Sequence, residues 1–232
     1  MDIRRHSLGV VFGLVLAFAV VLAQGGCGKQ GSTAPPPGSG DPLYVLTAKE
    51  KTGASLERAG KRSEVAVPPE QRLFDGDTVE NTGPRSATLT DFKRGHRFTL
   101  TPATRVLLND GKITLFKGGT RLVFKKMDGE FKIVLPDSVS LGIRGTEFIL
   151  IVDADGRSVV RMLDGTITVD RAGQASTLET PRAAVIGKAS EPLQIFDDPA
   201  SLPADLLTGP DAAALGLGSD TEVIERTRSS TY

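Results

Sequence analysis

The sequence predicts an all-β fold, a single sandwich or β-roll of many short strands with a disordered tether and tail. Short alternating segments and turn signals recur roughly every 8–12 residues, which is typical of sheet proteins. The chain has 232 residues, and its 26 glycines and 14 prolines suit a protein of many turns. Helical spacing of apolar residues is scarce between positions 43 and 187. We therefore expect one β domain, not alternating strands and helices.

The first residues are typical of an export signal. Arg4 and Arg5 precede an uncharged apolar run of 16 residues, Leu8–Ala23. A secretory signal core has about 7–15 such residues and a membrane-spanning helix about 20. Gly25-Gly26-Cys27 follow at once and resemble the lipobox of bacterial lipoproteins, although Gln24 stands where an apolar residue is preferred. We expect a signal peptide at 1–26 and lipidation of Cys27, with plain cleavage or an uncleaved anchor as alternatives.

Composition excludes several classes of function. Lys plus Arg and Asp plus Glu both total 28, so the formal net charge is zero. Nucleic-acid binding by counterion release needs a basic field that this chain lacks. Cys27 is the single cysteine and His96 the single histidine outside the signal segment, too few for a zinc site. We expect no metal, no cofactor and no nucleic-acid partner.

Domain boundaries follow from composition. Residues 27–42 carry the lipidated cysteine and a Gly/Ser/Pro linker, which cannot bury a core and is typical of a flexible tether. The β domain occupies 43–190. Residues 191–232 lose the alternation and are expected to be mostly irregular, with a helical turn or two near 204–207 and 211–215.

Turn residues divide the domain into strands. Asn109-Asp110-Gly111 and Asp153–Gly156 predict hairpin loops, and Asp164-Gly165 predicts a two-residue hairpin turn. In 148–152, alternate apolar residues point to opposite faces, so this strand should be covered on both sides. The predicted strands are 43–49, 54–57, 78–80, 87–90, 97–101, 105–108, 112–116, 120–124, 130–135, 148–152, 158–163 and 166–170.

Two glycines interrupt the stretch Leu-Gly-Ile-Arg-Gly-Thr-Glu-Phe at 141–148. Glycine in a strand usually marks a bulge or sharp bend. We therefore expect Gly142 and Gly145 to bend the chain, so that 139–141 and 148–152 join different parts of the sheet.

The same stretch is similar to a motif of the FecR domain family, named for a periplasmic regulator of iron-citrate uptake. Arg144 to Phe148 match its Arg-Gly-Thr-x-Phe element in order, and 73–79, 82–89, 100–104 and 163–167 resemble other elements of the family. The resemblance covers about residues 44–187 and implies a β domain that presents a rigid surface to a partner. The motif residues, expected to be structural, are Gly142, Arg144, Gly145, Thr146 and Phe148.

One departure limits what the resemblance implies. Family members that act on sigma factors carry a cytoplasmic helical domain before their membrane helix. Only a few residues precede the apolar run here. We therefore expect no anti-sigma region, and direct control of a transcription factor is not carried over.

Candidate catalytic groups each have a simpler interpretation. His96 lies in a polar turn among cations, where we expect it to be solvated and not part of a Ser-His-Asp triad. Asp153–Gly156 lacks the ligand spacing of a calcium loop. Glu130 and Glu147 could face one another across strands, but paired surface acids are common in such a sheet. We predict that the chain is not an enzyme and has no catalytic residues.

Basic residues supply the candidate binding site. Arg121, Lys125, Lys126 and Lys132 are expected on neighbouring strands, where lysines protect sheet edges against aggregation. The alternative is contact with an anionic lipid or a surface polysaccharide. Arg144, beside a buried strand, is expected to hydrogen-bond backbone carbonyls or to pair with an acid.

The sequence therefore predicts a non-enzymatic protein of the bacterial cell envelope, periplasmic or anchored to the outer membrane through its N-terminal lipid. Its role would be binding an envelope protein or glycan, in signalling or envelope organisation. A carbohydrate- or peptidoglycan-binding module is the alternative, and a cell-wall hydrolase is less favoured. A carbohydrate site would need exposed aromatics in a row, and most of Phe92, Phe98, Phe116 and Phe124 are expected in the core.

Overall fold

A computed structural model describes residues 40–126, 128–188, 190–207 and 210–217. The predicted signal peptide, Cys27 and most of the linker lie outside the described residues, as do residues 218–232. The described residues form seventeen strands, three short 3₁₀ turns and one five-residue α-helix, which confirms the all-β prediction.

The strands follow one another through the whole described domain. Helix α1 is Pro210–Ala214, and the 3₁₀ turns are Pro136–Ser138, Pro199–Ser201 and Ala204–Leu207. The strands are β1 Tyr44–Thr47, β2 Thr52–Arg58, β3 Lys61–Val67, β4 Gln71–Leu73, β5 Thr78–Asn81, β6 Ala87–Asp91, β7 Arg97–Leu100, β8 Arg105–Asn109, β9 Lys112–Val123, β10 Phe131–Val134, β11 Ser140–Ile143, β12 Glu147–Val152, β13 Ser158–Asp164, β14 Thr166–Arg171, β15 Gln174–Glu179, β16 Ala183–Ile186 and β17 Gln194–Phe196.

The strands pair into two sheets that share β9. Sheet 1 has the order β4–β1–β6–β7–β9–β12–β13–β16–β17. Sheet 2 has the order β3–β2–β5–β8–β9–β10–β11–β14–β15. All neighbours are antiparallel except β9 and β10, which are parallel. The first half of β9 thus belongs to sheet 2 and its second half to sheet 1.

Inward side chains from both sheets form one hydrophobic core. Leu108 and Leu115 come from sheet 2 and Phe98, Leu122 and Phe148 from sheet 1, and all five are fully buried in the same cluster. Burying one such side chain stabilises a fold by roughly 1.5–3 kcal/mol. The shared core therefore holds the two sheets against each other.

Glycines mark the places where the chain passes from one sheet to the other. β9 changes sheets at Gly118, whose φ is +90° and where an added Cβ would lie 2.5 Å from the Thr104 Cα. β11 in sheet 2 leads into β12 in sheet 1 through Gly145, whose φ is +72°. β13 in sheet 1 leads into β14 in sheet 2 through Gly165, whose φ is +83°. Only glycine adopts these backbone angles without strain.

Two sequence predictions about turns need correction. Asp164-Gly165 is not a hairpin turn, because β13 and β14 lie in different sheets and do not pair. A hairpin and a crossing share the same local need for a positive φ, so the dipeptide alone does not distinguish them. Gly142 does not bend the chain; it lies within β11, paired with Lys132 and Thr168, with the Glu130 carboxylate over it. The hairpin loops at 109–111 and 153–156 are confirmed.

Residues 204–207 and 210–217, which we call the C-terminal segment, cover the outer face of β12. Ile149 and Ile151 point away from the main core and pack against Ala212 and Leu217 in a second apolar cluster. The prediction that this strand is covered on both faces is confirmed. Gly119 permits the close approach, since an added Cβ there would lie 2.9 Å from Asp211 Cβ. Part of the predicted tail thus packs on sheet 1, and β17 pairs with β16.

The crossing at Gly145 gives a test with a matched control. Gly145 and Gly60 share a φ of +72°, but only at Gly145 is there a close neighbour, the Lys126 Cα 3.0 Å from an added Cβ. Alanine in this backbone conformation costs roughly 1–2 kcal/mol. We expect Gly60→Ala to lower the free energy of unfolding by about that amount and Gly145→Ala by at least ~1 kcal/mol more. Urea denaturation of both variants measures the difference, and equal losses would contradict the contact.

Candidate interaction surface

The Arg144–Phe148 segment contributes chiefly to the core. The Thr146 carbonyl accepts a hydrogen bond from the Phe124 N–H at 2.9 Å. The Phe148 ring stacks on the Phe124 ring with centroids 6.0 Å apart. An added Cβ at Gly165 would lie 2.8 Å from Thr146 Cγ2, so the second and third crossings are in contact. This segment therefore joins the sheets next to the aromatic part of the core.

Arg144 is the exposed exception in that segment. Its side chain makes no hydrogen bond or ion pair with any residue that the structure describes, so the predicted bond to carbonyls or to an acid has no partner among them. The neighbours Ile143 and Thr146 are buried, and the crossing turns Arg144 outward between them.

His96 is buried, and the prediction that it is solvated is wrong. Its ring lies 4.8 Å from the Phe124 ring and 5.5 Å from the Phe131 ring, measured between centroids. The Lys125 N–H donates to its Nδ1 at 3.3 Å. The polar turn before it is held by the buried Asp91, whose Oδ1 accepts from the N–H groups of Lys93 and Arg94, both at 2.9 Å. That turn satisfies its own polar groups and directs His96 inward.

Burial sets the protonation of His96. Desolvation lowers the pKa of His96 from its ordinary value, because the charged imidazolium is disfavoured in an apolar site. The charges of Arg94 and Lys125 also lower this pKa, while Asp91 opposes them. The neutral ring is therefore the stable form in the folded protein.

The four predicted cations do not form one patch. Arg121 lies on the outer face of sheet 1 and donates from Nε to Glu147 Oε1 at 2.7 Å. Lys125 and Lys126 follow the end of β9, and Lys132 lies on the outer face of sheet 2. Glu147 is bound to Arg121, and Glu130 lies over Gly142, so these two acids are engaged separately. These cations are close in sequence, but strand pairing places Arg121 in sheet 1 and Lys132 in sheet 2.

Lys132 instead belongs to a surface that we call the lysine face. Because Ile113, Leu115 and Ile133 point into the core, the residues that alternate with them on β9 and β10 point outward. Lys112 and Lys132 lie directly opposite each other on these parallel strands. The lysine face consists of Arg105, Leu107, Lys112, Thr114, Phe116, Lys132 and Val134.

The charges of the lysine face are incompletely neutralised. Arg105 Nη2 lies 3.3 Å from Glu57 Oε2, and Lys132 Nζ lies 3.8 Å from Glu130 Oε2. Lys112 has no ion pair with any residue in the described part of the chain. The Lys112–Lys132 pair is therefore a local concentration of positive charge, which the described residues neutralise only at Lys132.

An exposed aromatic residue lies beside the charged side chains of the lysine face. The Phe116 side chain is 43% exposed, and the Arg105 guanidinium lies 5.4 Å from its ring centroid. Arginine and aromatic residues are enriched in protein interfaces. Sequence reasoning missed Lys112 as a site residue and named Phe116 only among four candidate aromatics of a carbohydrate site, of which Phe92 and Phe116 are exposed and Phe98 and Phe124 are buried. The signal for the outward face was the alternation Lys112-Ile113-Thr114-Leu115-Phe116.

The row through the lysine pair continues across sheet 2. Gly142 lies beside Lys132, Thr168 beside Gly142, and Thr177 beside Thr168. Thr168 and Thr177 are exposed. The lysines are thus followed by Gly142, with the Glu130 carboxylate over it, and then by two hydroxyl groups.

One concave site lies under the C-terminal segment. It is a cavity of about 220 Å³ between the β12–β13 hairpin and Asp205, Leu206, Asp211 and Ala212, with an apolar floor that includes Ile151 and Val159. Its charged residues are already engaged, since Arg157 Nε donates to Asp153 at 2.9 Å and Thr101 donates to Asp211. Among the described residues, no three His, Cys, Asp or Glu side chains are grouped to hold a metal ion. None of the helices in the described ranges is long and apolar enough to cross a membrane.

Comparisons with known proteins give a partial structural match. No family model matches the chain, and no curated protein matches its sequence. Two crystal structures of a candidate anti-sigma factor from Parabacteroides distasonis ATCC 8503, at 2.50 Å and 1.65 Å resolution, give TM-scores of 0.46 and 0.45 with 12% sequence identity. Each match covers 52% of this chain and 59% of the other chain.

Burial of His96 predicts how stability depends on pH. A lowered pKa in the folded state means that the unfolded chain binds a proton more readily, so the stability from neutral His96 is full above about pH 6.5 and declines below it. We expect the urea midpoint to fall between pH 7.5 and pH 5 and this fall to be largely absent in His96→Leu. An equal fall in both proteins would contradict the buried, neutral imidazole.

Proposed function

We propose that this chain is a non-enzymatic FecR-type module of the bacterial envelope, which binds an envelope protein through the lysine face and serves in signalling or envelope organisation. The observation that carries the proposal is the Lys112–Lys132 pair beside the exposed ring of Phe116. A partner with acidic groups around an apolar centre would neutralise the lysines and cover the ring.

Kinship with the FecR family is supported by the ordered motif and by its position. The Arg-Gly-Thr-Glu-Phe element spans the passage from β11 to β12, where a positive φ and a buried Phe148 are both needed. These requirements explain why glycine and phenylalanine occupy those two places. These requirements concern the fold alone. The proposed binding role therefore rests on the lysine face and not on the Arg-Gly-Thr-Glu-Phe motif.

The envelope location is supported by the sequence. The apolar run and the small residues before Cys27 favour export and lipidation there. Residues 28–42, if extended, reach roughly 45–50 Å, so an anchored domain would present its surface well away from the lipid. Loss of lipid labelling in Cys27→Ser would be expected, and an unchanged label would contradict the anchor.

A second candidate function is binding of an anionic glycan. The row from Lys132 to Thr168 and Thr177 favours it, since it offers a positive charge and hydroxyl groups in a line, although the Glu130 carboxylate lies over Gly142 between them. The exposed Phe116 and the apolar Leu107 and Val134 favour a protein surface. We therefore place the protein partner first.

Site-specific photo-crosslinking in cells tests the binding surface. A benzophenone amino acid replaces Phe116, and a matched probe replaces Phe92, which is 52% exposed and follows β6 of sheet 1. We expect one envelope protein to be captured from position 116 and not from 92. In the Lys112→Glu/Lys132→Glu background capture should fall at least about tenfold, as expected for the loss of roughly 1.4 kcal/mol of binding energy.

Other outcomes of this experiment are equally decisive. Capture of the same proteins from both positions, or undiminished capture after charge reversal, would contradict the lysine face as the binding surface. Capture of glycan alone from position 116 would replace the protein partner with the second candidate. Thermal unfolding of the charge-reversed variant is the control for folding.

A further inference from the structure

The described part of the chain leaves two long sheet edges unpaired, β3 and β15, and β3 is the longer. The edge strands of sheet 1, β4 and β17, have three residues each. β3 has seven residues, pairs only with β2, and is exposed over its first four residues. Unpaired strand edges are templates for pairing with another chain.

The turn before β3 determines which backbone groups are free. Ala59 and Gly60 have φ values of +51° and +72° and form a two-residue turn between Arg58 and Lys61, as in a type I′ hairpin. In such a hairpin the residues flanking the turn are a hydrogen-bonded pair, and hydrogen-bonded pairs then alternate along the strands. Lys61, Ser63 and Val65 therefore bond to β2, while the backbone groups of Arg62, Glu64 and Ala66 point to the free edge.

Charge selects one way in which two copies of this edge can pair. We propose that the chain forms a dimer in which β3 pairs antiparallel with β3 of a second copy, with the two-fold axis at Ser63. Arg62 of each copy then lies opposite Glu64 of the other copy, which gives two equivalent pairs of opposite charge. About four backbone hydrogen bonds join the two strands. A two-fold axis at Glu64 would place two carboxylates opposite each other, which is destabilising.

Both side chains are available for this contact. The Arg62 and Glu64 side chains are 58% and 63% exposed, and their ion pair within one chain is long, at 3.8 Å. Arg62 Nη2 also lies 3.5 Å from Glu80 Oε2, and Thr82 Oγ1 donates to Glu64 Oε2 at 3.3 Å, so the dimer would compete with these long surface contacts. The opposite edge of sheet 2 lacks this feature. By the same alternation, β15 presents the backbone of Ala175, Thr177 and Glu179, whose side chains offer no opposite charges to fix a register.

The dimer has a consequence for the outer surface. A two-fold axis at an antiparallel edge pair is perpendicular to the sheet, so the outer faces of both copies lie on the same side. Two lysine faces would then be presented together, and a partner with two binding sites would gain affinity from simultaneous contact.

Disulfide trapping in the full-length chain tests the pairing. Ser63 would face the other copy's Ser63 as a non-hydrogen-bonded pair with Cα atoms about 4.5 Å apart, within the range of a disulfide. We expect Ser63→Cys to give a disulfide-linked dimer under oxidising conditions. Adding Arg62→Glu or Glu64→Arg should reduce it at least about fivefold, and the double reversal Arg62→Glu/Glu64→Arg should restore it.

Controls separate this inference from the proposed function. The wild-type chain, with Cys27 alone, gives the background, and Ser176→Cys on the β15 edge should give no more than that background. Lys112→Glu/Lys132→Glu should leave the dimer intact. Absence of a Ser63→Cys dimer, or equal trapping in all charge variants, would overturn the proposed pairing without affecting the lysine face.

Discussion

The fold depends on the passage of a continuous chain between two sheets at glycines. β9 makes this passage within a single strand at Gly118, and the connections through Gly145 and Gly165 make it again. Each position combines a positive φ with a close neighbour, and Gly145 and Gly165 lie against each other. The aromatic core under these crossings, with Phe124 and Phe148 stacked, fixes the separation of the sheets.

Local patterns predicted most of the strands but missed β3, β4 and β15 to β17, and they predicted strand partners poorly. Alternation in 148–152 correctly indicated a strand covered on both faces, because burial has a period of two along any strand. Asp164-Gly165 was assigned to a hairpin because a turn residue with positive φ does not reveal which sheet the next strand joins. His96 was placed in solvent because its neighbours in sequence are charged, whereas Asp91 closes that turn and the ring enters the core.

The candidate site shows the same limit more strongly. Arg121, Lys125, Lys126 and Lys132 are close in sequence, but β9 takes Arg121 to the opposite face. Lys112, twenty positions before Lys132, becomes its direct neighbour through the parallel pairing of β9 and β10. No local sequence pattern predicts that two strands pair in parallel. The sequence shows which segments are charged. Which charged residues share a surface depends on the register in which the strands pair.

Hydrogen exchange monitored by mass spectrometry tests most directly whether the glycine crossings unite the sheets. If they do, the buried strands of both sheets, such as β8 and β12, exchange through one global opening with the same free energy, and β9 is protected along its whole length. Exchange of sheet 1 at a lower free energy than sheet 2, with protection of β9 ending at Gly118, would contradict the account. The molecule would then consist of two sheets in contact, not one cooperative structure.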